Sequence, residues 1–166
     1  MSMLGKQVRL SRIVDESSGK MVAITVDHAT SRGIANMTGL QPIQETIGKI
    51  AAGRPTALTV TKGIAERCMP PYAGKLPMLL KISNYSPVQP TKDAIFGTVD
   101  EAIRLGADAV SMGAILLGTY QHEQFENIGR ISEECARRGM PLIGHVYPKG
   151  ESVPQAEYAS WQNIAY

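Results

Sequence analysis

Apolar positions along the chain recur in two rhythms that take turns. Five stretches are nearly continuous in aliphatic residues: MVAITVD (21–27), PTALTVTKG (55–63), PMLLKISNYS (77–86), ADAVSMGAIL (107–116) and MPLIGHVYP (140–148). Runs of that length, rich in Val, Ile and Leu, predict short strands buried on both faces. Between them the apolar residues fall at helical spacing. Over 38–53, Leu40, Ile43, Ile47 and Ile50 make one stripe, with Thr38 as expected N-cap and Gly53 as the stop. Residues 63–76 leave room for a short helix at most. TVDEAIRLG (98–106) opens on a capping box, Thr98 with Glu101, and ends at Gly106. Over 121–139, Phe125, Ile128, Ile131 and Cys135 share a face that stops at Gly139, and a last helix is expected from Pro154.

Strand and helix alternating in this way predict βαβ units, a parallel sheet and right-handed crossovers. The strands should pair in chain order, with Asp27, Lys62, Asn84 and Tyr147 at one end. Five units over 166 residues give about 33 residues each; eight would take roughly 265, against the ~250 of an eight-stranded β/α barrel. Periodicity by itself favours a complete five-stranded doubly wound domain over five-eighths of a barrel.

Composition narrows the function classes. The formal net charge is +2 and the Lys and Arg residues are scattered, which argues against nucleic acid or a membrane surface as partner. Cys68 and Cys135 form no metal-binding or Cys-x-x-Cys spacing and read as reduced thiols. No apolar run of leader or membrane-span length occurs, so the expected location is cytoplasmic.

Polar chemistry collects where the strands end. Asp27-His28 closes the first, Lys62 the second, Ser83-Asn84 the third, and His145, Tyr147 and Lys149 the fifth. In α/β sheets and barrels alike the C-terminal strand ends form the site. Acid, phenol and lysine together suit carbonyl chemistry through a Schiff base, in which a carboxylate and a phenol move protons during carbon–carbon cleavage. No dinucleotide, P-loop, nucleophile-elbow or H-E-x-x-H motif is present. Asp27, His28 and His145 could in principle ligate zinc, but two strands supplying three scattered ligands is a weak pattern.

Three blocks carry a resemblance to a known family: GKQVRLSRIVDESSGKMVAITVDHA, TVDEAIRLGADAVS and GMPLIGHVYPKG. Together they resemble the archaeal-type class I (Schiff-base) aldolases. That family includes fructose-bisphosphate aldolase, 2-amino-3,7-dideoxy-D-threo-hept-6-ulosonate synthase of aromatic biosynthesis, and a thiolase that processes an autoinducer phosphate. The resemblance implies an eight-stranded β/α barrel, so residues 1–166 would form one partial barrel domain holding strands one to five and ending before strand six. It implies reversible aldol or transaldol chemistry on phosphorylated sugars, with no cofactor and no metal. Asp27 matches the family aspartate and Tyr147 the general acid/base, while His28, Lys62, Asn84, His145 and Lys149 are expected to bind substrate. Ala29 stands where the family usually has glycine. The family's imine lysine lies on strand six and its phosphate-binding glycines follow strands seven and eight, so none of the eight lysines here holds the nucleophile's place. Three expectations follow: an N-terminal part inactive by itself; a module that forms a homo-oligomer or is completed by a chain carrying strands six to eight; or an in-chain lysine, Lys62 or Lys81, standing in.

Overall fold

The structure, a computed structural model, describes residues 3–33 and 37–158. Five parallel strands form one sheet in chain order: β1 (Ala23–Thr25), β2 (Ala57–Thr61), β3 (Met78–Lys81), β6 (Ala109–Ile115) and β7 (Leu142–Tyr147). The expected pairing is therefore present. Between β3 and β6 the chain inserts an antiparallel hairpin, β4 (Ser83–Ser86) with β5 (Gln89–Ile95). The third apolar run thus holds two strands, parted at Ile82.

The two faces of the sheet differ. Leu58, Val60, Met78, Leu80, Val110 and Met112 point to one side. There they pack on Ile47 of α3 (Ile43–Ala52), Ala65 and Cys68 of α4 (Lys62–Cys68), Ala102 of α5 (Val99–Arg104), and Ile131 and Cys135 of α6 (Gln121–Arg138). Each fully buried aliphatic side chain of this layer contributes about 1.5–3 kcal/mol of transfer free energy. The opposite face carries a much smaller cluster, Ala57, Leu79 and Ala109 against Ile13 of α1 (Leu4–Ile13). These four crossover helices thus lie on one side, while a single turn of helix, α2 (Ala29–Arg32), follows the end of β1. A doubly wound sheet would cover both. One-sided winding is that of a β/α barrel, and the five strands make a curled part of one, so the doubly wound expectation is corrected.

Local signals explain most boundaries. Thr98 Oγ1 accepts from the Glu101 N–H at 3.1 Å while the Glu101 carboxylate accepts from the Thr98 N–H at 3.2 Å. Thr98→Ala is accordingly expected to cost about 1 kcal/mol, read as a lowered urea midpoint at unchanged slope. An unchanged midpoint would show that the cap is idle. Gly106, one past the C-cap of α5, and Gly139, the C-cap of α6, take positive φ of 75° and 60°, the left-handed helix ending that glycine favours.

Three helix expectations are revised. Thr38 is not the cap of α3, because Pro42 with its fixed φ occupies that position and the helix begins at Ile43. Phe125 is half-exposed; the buried residue of that turn is Gln124, whose amide donates to the Ile115 carbonyl at 2.7 Å and accepts from its N–H at 2.6 Å. The segment after Pro154 starts as a single 3-10 turn, Gln155–Glu157, and the remainder of that expected helix lies outside the described residues. No helix among the described residues is long and apolar enough to cross a membrane.

Candidate active site

Alternation along the strands decides which polar groups meet. With Leu79 turned to the inner face, Lys81 must be too. Register then places Lys81 beside Ser111, and two residues on pairs Gly113 with His145 and Ile115 with Tyr147. The C-terminal half of the inner face is therefore polar where the N-terminal half is packed by α1.

His145 Nε2 lies 2.8 Å from Ser111 Oγ. Burial first, and then the nearby Lys81 cation, push this imidazole below its usual range, with Asp27 opposing. Tyr147 is shifted the other way. Burial, reinforced by the negative charge of Asp27, raises its phenol above 10.0. His145 is thus held neutral and Tyr147 held protonated. Outside it, Tyr85 meets Tyr147 edge to face at 6.5 Å, and Lys149 Nζ sits 3.7 Å from the Tyr85 ring centre and 5.2 Å from that of Tyr147.

Asp27 follows β1 directly. Asn84, on the hairpin, fastens this turn by donating from Nδ2 to the Asp27 carbonyl at 3.1 Å and to Thr30 Oγ1 at 2.7 Å. His28 Nδ1 is closed off from solvent, has no hydrogen bond among the described residues and lies 3.8 Å from Asp27 Oδ1.

Two further ionisable groups lie deeper. Lys81 is only 3% exposed, and burial lowers its pKa against the raising effects of Asp93 and Asp27. Asp93, reaching in from β5, is 5% exposed and its carboxyl is pushed up to about 6, chiefly by burial. Its Oδ2 faces Ser83 Oγ at 3.4 Å, while Oδ1 is buried with no partner among the described residues. Ser83 Oγ in turn accepts from the Gly113 N–H at 2.7 Å. A Cβ at Gly113 would collide with the Asp93 carboxylate, so the glycine is what admits Asp93.

The arrangement gathers Asp27, His28, Asn84, His145, Tyr147 and Lys149, all expected from strand ends. It does not gather Lys62. Thr61 turns inward, so the next residue turns outward, and Lys62 starts α4 in an ion pair with Glu101 in the helical layer. Asp93, Ser111 and Tyr85 were not anticipated. Ser111 could have been found from its place two residues before Gly113 on an inward-facing register; Asp93 sits in a segment without apolar rhythm.

Comparison with known proteins bears on the family and the fold. The model of the DeoC/LacD family of aldolases matches residues 21–165. The 2-amino-3,7-dideoxy-D-threo-hept-6-ulosonate synthase 1 of Archaeoglobus fulgidus is 32% identical over 150 residues, which are 89% of this chain and 55% of that protein. The 3-hydroxy-5-phosphonooxypentane-2,4-dione thiolase of Escherichia coli K12 is 30% identical over 84% of this chain and 47% of its own length. A crystal structure of an archaeal fructose 1,6-bisphosphate aldolase superposes with a TM-score of 0.78 at 24% identity, covering 97% of this chain and 64% of that one. A structure of an archaeal fructose-1,6-bisphosphate aldolase with its catalytic lysine bound to a carbinolamine intermediate gives a TM-score of 0.80 at 24% identity, with the same coverage. The chain spans about half the length of the curated relatives it matches.

Proposed function

The chain belongs to the DeoC/LacD family of class I aldolases, and from that premise we propose that its 166 residues form one partial barrel domain carrying the acid–base wall of a Schiff-base aldol or transaldol site for phosphorylated sugars. The observation that supports it most is the placing of Tyr147, held protonated, within the field of Asp27 at the C-terminal end of the inner face. In cleavage, a base takes the proton of the substrate hydroxyl, the adjacent carbon–carbon bond breaks, and its electron pair moves into the iminium to leave an enamine. Protonation of the enamine carbon completes the exchange. Tyr147 and Asp27 are the groups we assign to these transfers. His28, Asn84, His145 and Lys149 are assigned to substrate positioning.

The imine lysine is assigned to a sixth strand outside these residues. Turnover would then need three more β/α units, in the same polypeptide or in another. The paired strands leave β1 and β7 as outer members of the sheet, with Val22, Ile24 and Val146 exposed there. Such edges favour self-association or a complementing chain, which makes a partner-dependent module the second reading.

Borohydride treatment with dihydroxyacetone phosphate tests both. The isolated chain should keep its mass. With a polypeptide carrying strands six to eight of a relative added, the reduced adduct should map to the added piece. An adduct on Lys62 or Lys81 of the isolated chain would overturn the assignment.

A further inference from the structure

The Lys81 side chain has no hydrogen bond or ion pair among the described residues, yet the residue is almost fully buried on the inner face. An amine so enclosed is badly placed to attack a substrate carbonyl. It is well placed to act on the groups around it. Asp93 comes to it from β5, Asp27 from the turn after β1, and His145 from β7. Lys149 and Asp27 also act on Asp93, and Ser83 is its hydrogen-bonding neighbour. Two features admit Asp93 to this cluster. Gly113 lacks the Cβ that would exclude Asp93, and Asp93 leaves Oδ1 buried and unpartnered on the inner side. A buried carboxylate oxygen without a donor is uncommon, and a nearby ammonium offsets its desolvation.

We propose that Lys81 is a positioning residue of this site: a buried cation beside Ser111 on the inner face, with Asp93 of the hairpin lodged against the neighbouring Gly113, that sets the Ser111–His145 pair next to the end of β1 where Asp27 lies. The inference rests on the acid–base reading of Asp27 and adds to it two residues that never touch the substrate. The Lys81 charge disfavours a second cation on His145, leaving Ser111 its neutral partner. Asp93 favours the ammonium form of Lys81 in surroundings that would otherwise neutralise it.

The chain holds only three histidines, His28, His122 and His145, so NMR titration can follow each one. In Lys81→Met, which keeps volume and removes charge, the His145 midpoint should rise by about one pH unit. Lys81→Arg should hold it at the wild-type value. In the unsubstituted chain the Lys81 side-chain resonances should report an ammonium at pH about 7, and in Asp93→Asn their midpoint should fall. A neutral Lys81 amine at that pH overturns the proposal even if Lys81→Met fails to fold. So does a His145 midpoint that stays put in Lys81→Met or moves as far in Lys81→Arg. These readings need no sixth strand, so failure of the trapping experiment and failure of this one are separable.

Discussion

Replacing Tyr147 by Phe is expected to slow turnover of the completed barrel by about 10²–10⁴-fold, the usual worth of a general acid/base. The substitution removes one oxygen and leaves the ring, so the edge-to-face contact with Tyr85 and the Lys149 ammonium above the rings should persist. What disappears is a phenol that burial and the Asp27 charge keep protonated. The loss should therefore fall on kcat with KM little changed, because a proton moves only as bonds break. Imine formation should survive, so borohydride should still trap the added piece in Tyr147→Phe at close to the normal yield. Asp27→Asn should behave alike if the carboxylate is the partner base. Turnover of Tyr147→Phe within a few-fold of the unsubstituted enzyme would remove Tyr147 from the mechanism and leave it a wall of the pocket.

How much of this was legible beforehand depended on burial. The five strands stood out because both faces of a parallel strand are covered, and β6 is buried at every position. α5 announced itself by its capping box. α1 did not, since charged and polar residues separate Leu10 and Ile13, which are all it sends to the core. The hairpin was missed because the run through 77–86 continues across Ile82 without a break in composition. Side-chain alternation puts Asp27 on the face of Thr25 and Tyr147 on that of His145, the inner face that Leu79 and Lys81 share. The same rule applied one residue past Thr61 would have turned Lys62 outward to Glu101. Asp93 lay beyond such reasoning. Its role comes from a glycine on another strand, and no local pattern in Gln89–Ile95 points to Gly113.

The unfolding free energy of Asp93→Asn should overtake that of the unsubstituted chain as the pH rises. Asp93 is raised in the folded protein from 3.8 to about 6, so the native state holds its proton more tightly than the unfolded one. The sign follows from linkage: this contribution is fully present below pH about 4 and is lost as pH climbs through about 6. A shift of roughly two units corresponds to about 3 kcal/mol, with the attraction of Lys81 already included. Near pH 4 a neutral carboxyl and a carboxamide are close in shape and polarity, so the two proteins should be nearly equal. By pH about 7.5 the carboxylate is ionised with Oδ1 still unpartnered, and the asparagine variant should be more stable by up to that amount. Asp15, Glu101 and Glu151 are shifted downward, so their contributions are complete once the pH has risen past about 5. They are common to both chains and cancel in the difference between urea midpoints at each pH, which reports Asp93 together with the Lys81 charge it acts on. A gap that stays flat from pH 4 to 7.5, or opens in the opposite direction, would mean that Asp93 is ionised at little cost. A gap of the expected sign would mean that the fold tolerates a destabilising carboxylate at neutral pH, as a residue retained to keep Lys81 charged would require.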